Sequence, residues 1–181
     1  MNPGFDSVVF LVGPRGSGKT TVGRILAKRL GASFVDTDEM VEAEAGATIE
    51  SIFATGGEGS FRRLEAAAVA RAAAMKGTVA ALGGGAVEAR DSLDMIRRSG
   101  VVVRLSARPV TLYRRVTADP RSAASRPPLT GLDPMQEIEV TAARRESAWI
   151  AAAHFTIETD FMTPEQAADG IVRMLGCRIS K

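Results

Sequence analysis

The sequence predicts an α/β fold of three layers, in which helices flank both faces of a five-stranded parallel sheet. Three observations predict it: short valine-rich runs, helical segments between them, and a glycine-rich turn after the first run. Short apolar strands that alternate with helices are typical of a parallel sheet covered on both faces. A chain of 181 residues can bury a substantial core, and we expect 1–181 to form a single domain.

Five apolar runs are predicted to be the strands. Ser7–Val12 is continuous and valine-rich, which is typical of a strand buried on both faces. The other four predicted strands are Ser33–Asp36, Thr78–Leu82, Val101–Leu105 and His154–Thr159. Because the carboxyl ends of parallel strands lie at one edge of the sheet, the residues that follow them are candidates for a shared site.

The segments between the strands carry helix signals. After the first strand, four apolar residues fall on one helical face: Val22, Ile25, Leu26 and Leu30. Gly31 is expected to end that helix. The last helix begins at Thr163–Gln166, where a capping threonine precedes proline at the first helical position and glutamine at the third. We expect this helix to run to Leu175 and stop at Gly176.

One segment, Thr117–Gly131, interrupts the alternation of strands and helices. It reads TADPRSAASRPPLTG, with prolines and small polar residues that predict a loop, and it carries Arg121 and Arg126. Long loops in compact domains often act as lids over a site. We therefore predict a lid, and a surface connection without function is the alternative.

Composition excludes several classes of partner. The net charge of +2 is too small to predict a nucleic-acid or membrane partner, and no apolar run approaches the length of a membrane span. The single cysteine, Cys177, cannot form an internal disulfide, which favours a reducing compartment. The first residues, MNPGFDS, lack the features of a signal peptide. We expect a cytoplasmic protein.

A phosphate-binding loop follows the first strand. Gly13–Thr20 reads GPRGSGKT and matches the G-x4-G-K-[ST] pattern between a predicted strand and an amphipathic helix. Backbone N–H groups and the helix N-terminus would surround phosphate, Lys19 would neutralise the β- and γ-phosphates, and the Thr20 hydroxyl would ligate Mg²⁺. The candidate nucleotide contacts are Gly13, Pro14, Arg15, Gly16, Ser17, Gly18, Lys19, Thr20 and Thr21. The sequence therefore predicts a P-loop fold that binds a nucleoside triphosphate.

The acidic residues expected near such a loop follow the second strand. We find neither an NKxD-type base-reading sequence nor an apolar run ending in the DE of an ATPase second motif, but VDTDEM contains Asp36 and Asp38. In an extended chain these two carboxylates point the same way. One could hold the metal through water while the other accepts a proton from, or orients, a substrate hydroxyl. The alternative is that Asp38 only caps the following helix.

Three consecutive glycines follow the third strand, where many nucleotide-binding folds place an acid. Gly83, Gly84 and Gly85 have no side chains to exclude a small substrate, and their N–H groups can contact it directly. A tight strand-to-helix turn is the alternative and is compatible with the same residues.

Taken together, these segments resemble the shikimate kinase family over nearly the whole chain. They occur in the family's order: GPRGSGKTT, DTDEMVE, GATIESIF, GGEGSFRRLE, GGGAV, RPPLTG, RRESAW and ETDFMTPEQAA. The combination of DTD, GE-x-x-FR-x-x-E and GGG is far more specific than the phosphate loop alone. The resemblance implies transfer of the γ-phosphoryl group of ATP to the 3-hydroxyl of shikimate, in chorismate and aromatic amino-acid biosynthesis, by a monomer that uses Mg²⁺.

The resemblance also implies a role for each matching residue near the phosphates. Lys19 and Thr20 match the loop lysine and the metal-binding hydroxyl, and Asp36 matches the acid near magnesium. Asp38 matches the carboxylate that holds the ring hydroxyls and can act as base. Arg126 resembles the lid arginine that closes on the transferring phosphoryl group, so the implied catalytic set is Lys19, Asp38 and Arg126.

Arg62 and Arg145 match the two arginines of the family that hold the substrate carboxylate. Gly83, Gly84 and Gly85 match the glycines that line the family's substrate pocket. The implied substrate-binding segment is about 37–65. Glu65 is expected to pair with a substrate-site arginine, whereas solvation of a helix surface is the alternative role for Arg62. On the nucleotide side, Arg115 resembles the arginine that stacks on adenine, although Arg114 and Arg121 are further candidates.

The chain departs from the family pattern in places, and two other functions stay open. The lid reads RPPL where RPLL is more usual and is longer than in many members, and Trp149 and Ser147 replace a common tyrosine and proline. A gluconate kinase-like or nucleoside-monophosphate kinase-like activity is the nearest enzyme alternative. A nucleotide-binding module without catalysis is the alternative from a different class.

Overall fold

The computed structural model describes residues 7–118 and 133–179 and has the predicted three-layer α/β architecture. Five parallel strands form one sheet in the order β2-β3-β1-β4-β5. The strands are β1 Val8–Val12, β2 Ser33–Asp36, β3 Thr78–Ala81, β4 Gly100–Ser106 and β5 Phe155–Glu158. Each matches a predicted run to within one residue at either end, because short runs rich in β-branched and aromatic residues favour strands.

Seven helices flank this sheet in the described part of the chain. They are α1 Lys19–Leu30, α2 Thr37–Ala45, α3 Ile49–Ala74, α4 Arg90–Ser99, α5 Pro109–Ala118, α6 Pro134–Ala152 and α7 Pro164–Ile179. Helix α3 is interrupted at Gly57, whose φ of 68° lies in the left-handed region.

The helix-end predictions had different outcomes. Gly31 ends α1 with a φ of 64°, as predicted. The capping box of α7 is also confirmed, because the Thr163 hydroxyl accepts from the Gln166 amide at 3.2 Å and the Thr163 amide donates to Gln166 Oε1 at 2.9 Å. The predicted stop at Gly176 is wrong, since α7 continues to Ile179. Gly176 does not adopt the positive φ that a glycine stop requires.

The hydrophobic core lies on both faces of the sheet. Val8, Phe10 and Val12 join a cluster with residues of α3, α4 and α6, whereas Val9 and Leu11 join a cluster with residues of α1 and α7. This alternation is the period-2 geometry of a strand, and burial of both faces explains why β1 contains no polar residue.

A third, smaller cluster joins α2 to the first half of α3. Val41, Ile49, Ile52 and Phe61 are buried there, each with at most 6% exposure, and the Phe53 and Phe61 rings lie 4.7 Å apart. The predicted substrate-binding segment 37–65 is therefore a packed unit beside the sheet, which fixes the direction in which its polar side chains point.

The strand order determines which chain segments can form a site. Strand β3 pairs with β2 on one side and with β1 on the other, so the carboxyl ends of these strands lie next to one another. The phosphate loop, the acidic pair and the glycine run therefore meet at one edge. Residues 119–131 of the predicted lid, with Arg121 and Arg126, lie outside the described residues. Among the residues described, no helix is both long and apolar enough to cross a bilayer.

Candidate active site

The phosphate loop is packed tightly against β4 and α5. A side-chain carbon at Gly13, whose φ is 137°, would overlap the carbonyl oxygen of Leu105. At Gly16, with a φ of 81°, it would lie 2.8 Å from the Leu112 carbonyl oxygen. These glycines therefore allow the loop to turn in contact with neighbouring backbone, and Gly18 follows as the N-cap of α1.

Lys19 lies along the loop that precedes it. Its ammonium group donates to the carbonyl oxygens of Gly13 at 2.8 Å and Pro14 at 3.0 Å. As the first residue of α1, Lys19 stands at a helix N-terminus, where the partial positive charge of the helix favours anions. The structure thus places the predicted phosphate lysine beside the loop at a helix N-terminus, a position that favours anions.

Thr20 and Asp36 form the candidate metal site. The Thr20 hydroxyl donates to Asp36 Oδ2 at 2.8 Å, which joins the start of α1 to the end of β2. Burial raises the pKa of Asp36, and the charge of Asp38 raises it further, while bonds from Thr20 and the Asp38 amide act in the opposite direction.

These two oxygen donors fit magnesium. The described residues contain no cluster of three or more His, Cys, Asp or Glu side chains that could enclose a metal by themselves. Mg²⁺ prefers hard oxygen ligands and commonly takes only one or two from the protein, keeping waters and phosphate oxygens for the rest. A hydroxyl and a carboxylate beside a phosphate loop meet that requirement.

Asp38 reaches the site from a helix and not from an extended strand. Asp36 ends β2 and caps α2, accepting from the Asp38 amide at 3.0 Å, so Asp38 lies in the first helical turn. The expected extended geometry is therefore wrong, and the capping role proposed for Asp38 belongs to Asp36. Asp38 nevertheless faces the glycine run, because a side-chain carbon at Gly83 would lie 2.6 Å from its Oδ1 atom.

Two side chains outside the predicted site hold the glycine run in place. The buried Thr37 hydroxyl accepts from the Gly83 amide at 2.9 Å, and the Trp149 indole donates to the Gly84 carbonyl at 3.2 Å. The expectation that the Gly83 N–H points at a substrate is thus corrected, since this N–H is bonded within the protein. No sequence motif marked these bonds, because each joins residues 46 or 65 positions apart.

Trp149→Phe is expected to destabilise the protein by about 1–3 kcal/mol, because it leaves a part-buried carbonyl without its donor. The released Gly84 segment should also raise KM for the small substrate more than KM for the nucleotide. Urea unfolding followed by circular dichroism, together with steady-state kinetics, measures both effects. Ile150→Ala, on the same helix but 55% exposed, is the control and should change neither.

Arg62 is held by carboxylates of its own helix. Its Nη1 donates to Glu65 at 2.6 Å and its Nη2 to Glu58 at 3.1 Å, while a carbon at Gly85 would overlap Nη1. Burial alone would lower the pKa of Arg62, but these bonds outweigh burial and raise it. Arg62 therefore faces the glycine run and does not merely solvate the helix, and Glu65 has the supporting role predicted for it.

Arg145 approaches the same glycines from α6. A carbon at Gly84 would lie 3.2 Å from its Nη1, and its Nε donates to Glu88 at 3.1 Å. Burial lowers the pKa of Arg145, an effect that the Glu88 charge opposes and the neighbouring arginines reinforce. The structure thus brings two guanidinium groups from sequence-distant helices together above the glycine run.

Arg62 borders a cavity of about 510 Å³, whereas Arg145 and Asp38 are not among the residues that line it. Its lining comes from α3, the segment after β3, α4 and α6: Glu58, Arg62, Glu65, Ala66, Gly85, Ala86, Glu88, Ala89, Ser92 and Arg144. The cavity has room for a small polar molecule. Glu88 was not predicted as a site residue, since a single acid after GGGAV has no distinctive pattern.

On the nucleotide side, Arg115 connects the phosphate loop to the end of β5. It donates to the Thr159 carbonyl at 2.7 Å, to the Thr159 hydroxyl at 2.9 Å and to the Gly16 carbonyl at 3.4 Å. Arg114 lines a separate cavity of about 260 Å³ with Arg108 and Phe161. The described hydrogen bonds of Arg115 go to backbone carbonyls and to the Thr159 hydroxyl, and its predicted contact with adenine stays a prediction.

The parallel sheet and the phosphate loop that follows β1 place the protein in the class of P-loop nucleotide-binding folds. The sequence model of the shikimate kinase family matches residues 15–176. A shikimate kinase from Symbiobacterium thermophilum is 51% identical over 152 residues, covering 84% of this chain and 86% of that protein. The chain belongs to the shikimate kinase family.

Solved structures agree with this family. A shikimate kinase from Acinetobacter baumannii in complex with shikimate superposes with a TM-score of 0.90 at 32% identity, covering 98% of this chain and 97% of that one. A gluconokinase from Sinorhizobium meliloti has a TM-score of 0.57 at 18% identity, covering 97% of both chains, and shares the fold alone. The gluconate kinase-like alternative therefore gains no support beyond the common architecture.

Proposed function

We propose that this member of the shikimate kinase family transfers the γ-phosphoryl group of ATP to the 3-hydroxyl of shikimate, giving shikimate 3-phosphate and ADP. One observation carries the proposal: a carboxylate, Asp38, and two guanidinium groups, Arg62 and Arg145, converge on glycines beside a phosphate loop. Each group matches one part of the acceptor, a small ring that carries hydroxyls and one carboxylate.

The arginines would hold the acceptor's carboxylate, and Asp38 its hydroxyls. Arg145 Nη1 and Arg62 Nη1 both lie against the glycine run, so a carboxylate there would receive charge-assisted hydrogen bonds from two helices. Gly83, Gly84 and Gly85 provide the space, because a side chain at Gly83 or Gly85 would collide with Asp38 or Arg62. The acceptor would therefore bind with its hydroxyl edge toward Asp38 and the phosphate loop.

ATP would bind with its phosphates in the loop of residues 13–21. Lys19 would exchange its bonds to loop carbonyls for bonds to phosphate oxygens, and the N-terminus of α1 would add backbone donors. Thr20 and Asp36 would hold Mg²⁺, which neutralises negative charge on the β- and γ-phosphates. Arg126, the proposed lid arginine, would add positive charge on the transferring group.

Asp38 would act at the moment of transfer. It would orient the attacking hydroxyl and accept its proton, while Lys19 and the loop amides stabilise charge on the phosphoryl oxygens. Catalysis would consist of positioning and charge neutralisation, without a covalent intermediate.

Three further expectations concern the oligomeric state, the adenine contacts and the cellular location of the enzyme. We expect a monomer, with Arg114, Arg115 or Arg121 near the adenine. A net charge of +2 and a single cysteine favour a cytoplasmic enzyme without nucleic-acid or membrane partners.

The proposal is tested by measuring ADP release from Mg-ATP with shikimate, gluconate, nucleoside monophosphates or no acceptor. We expect turnover with shikimate alone, and loss of turnover when EDTA removes the magnesium. Mass spectrometry of the product should show one added phosphoryl group. Turnover with gluconate or a nucleotide instead of shikimate would mean that Arg62 and Arg145 hold a different anion.

A further inference from the structure

One carboxylate at the site has no part in the proposed mechanism. Glu88 lies at the end of the turn that follows the glycine run, where its amide donates to the Gly85 carbonyl at 3.0 Å. A side-chain carbon at Gly85 would lie 2.9 Å from Glu88 Oε2, so this oxygen occupies part of the surface that the glycine leaves open. Glu88 therefore lies against the glycine run, with its side chain 31% exposed.

The contacts of Glu88 involve the same arginines that the substrate carboxylate would use. Its Oε2 accepts from Arg145 Nε at 3.1 Å and lies 3.7 Å from Arg62 Nη2. Its Oε1 lies 3.4 Å from Nη2 of Arg144. One carboxylate oxygen thus stands between the two guanidinium groups that come from α3 and α6.

The charge around these arginines is already balanced within the protein. Arg62 has Glu65 and Glu58 as further partners, so three arginines in this region face three glutamates. An incoming carboxylate therefore gains less from the guanidinium charges than it would in an unbalanced cluster. It also meets the like charge of Glu88 at close range, where two carboxylates repel each other.

We propose that Glu88 competes with the substrate carboxylate for Arg62 and Arg145 and thereby lowers the affinity for the acceptor. The proposal rests on the acceptor site described under the proposed function. Because Glu88 is attached to the same chain, its effective concentration at the arginines is on the order of millimolar or higher. A ligand that carries only a carboxylate gains too little binding energy to displace Glu88 readily. A ligand whose hydroxyls also bind Asp38 gains more, so Glu88 favours acceptors that carry both a carboxylate and hydroxyls.

The test is Glu88→Gln, which keeps the size and the acceptor oxygen of the side chain but removes its charge. Isothermal titration calorimetry should show that shikimate binds about three- to tenfold more tightly to this variant than to the unmodified protein. In steady-state kinetics, KM for ATP should stay within about twofold of the unmodified value. The gain should shrink in 1 M KCl, because salt screens the charge that has been removed (Debye length about 3 Å). Benzoate, a carboxylate without hydroxyls, should inhibit the variant more strongly than the unmodified protein.

Two further variants separate competition from other effects. Glu44→Gln removes the same charge from an exposed pair with Arg71 and should leave shikimate binding unchanged. Glu88→Ala removes both charge and acceptor. If Glu88 only positioned the arginines, binding would weaken in Glu88→Ala and would be partly rescued in Glu88→Gln, and neither variant would bind more tightly.

These experiments separate failure of the proposed Glu88 competition from failure of the proposed shikimate kinase activity. Unchanged or weaker shikimate binding by Glu88→Gln, with a melting temperature like that of the unmodified protein, would overturn the competition. If the unmodified protein neither bound nor phosphorylated shikimate, the proposed function would fail and the competition would fail with it. Tighter binding confined to Glu88→Gln, absent from Glu44→Gln and reduced by salt, is the supporting result.

Discussion

Asp38→Asn is expected to lower kcat by about 10²- to 10⁴-fold while ATP binding persists. Asparagine keeps the size of the side chain against Gly83 but cannot accept the proton of the attacking hydroxyl. The substitution also removes a charge that raises the pKa of both Asp36 and Glu65, so the fold should lose no stability. Steady-state kinetics, ATP titration calorimetry and thermal unfolding together measure these three effects.

The neighbouring acid offers a matched control for Asp38. Glu39 lies one residue further along α2 and forms an exposed pair with Arg24, so Glu39→Gln should retain near-normal kcat. Unchanged turnover in Asp38→Asn would remove Asp38 from the mechanism. A parallel loss of ATP binding would instead indicate that the change had disturbed the adjoining pair of Thr20 and Asp36.

Arg145→Ala is expected to raise KM for shikimate by about 10- to 100-fold and to leave KM for ATP nearly unchanged. The substitution removes a mostly buried guanidinium next to Gly84, and a charge-assisted hydrogen bond contributes about 1.5–3 kcal/mol. Because ATP is expected at the phosphate loop and not next to Gly84, KM for shikimate should rise while KM for ATP stays nearly the same. Arg62→Ala should act in the same direction, although it also leaves the buried Glu65 without its 2.6 Å partner.

The adjacent arginine is the control for Arg145. Arg144 is 63% exposed and pairs with the other oxygen of Glu88, so Arg144→Ala should change shikimate binding by less than about threefold. Arg145→Lys should recover only part of the loss, because an ammonium group cannot bind a carboxylate in the bidentate manner of a guanidinium. Equal losses for shikimate and ATP in Arg145→Ala would point to damage to the fold.

Much of the fold could be predicted because its signals are local. The short apolar runs of the five strands, the glycine that ends α1 and the capping box at Thr163 are each contained within a few residues. Such signals act through backbone geometry and side-chain periodicity, which do not depend on the rest of the chain. The same local reasoning failed at Gly176, because a glycine permits a helix stop but does not force one, and this glycine lacks the positive φ of a stop.

The residues proposed for the acceptor site stay a prediction, and one part of their expected geometry is corrected by the structure. Asp38, Arg62 and Arg145 were named from motifs, yet the expected extended arrangement of Asp36 and Asp38 was wrong, because the chain turns into α2 directly after Asp36. An Asp-x-Asp spacing fits a strand and a capped helix equally well, and only the cap bond from the Asp38 amide distinguishes them.

The sequence by itself determined the α/β class, the order of the elements and the chemistry of the phosphate loop, since these follow from patterns within single segments. Tertiary structure decided which polar groups meet: Thr37 with Gly83, Trp149 with Gly84, and Glu88 with Arg62 and Arg145. The last of these contacts joins residues 57 positions apart. Their proximity depends on how helices pack around the sheet, and no segment encodes that packing alone.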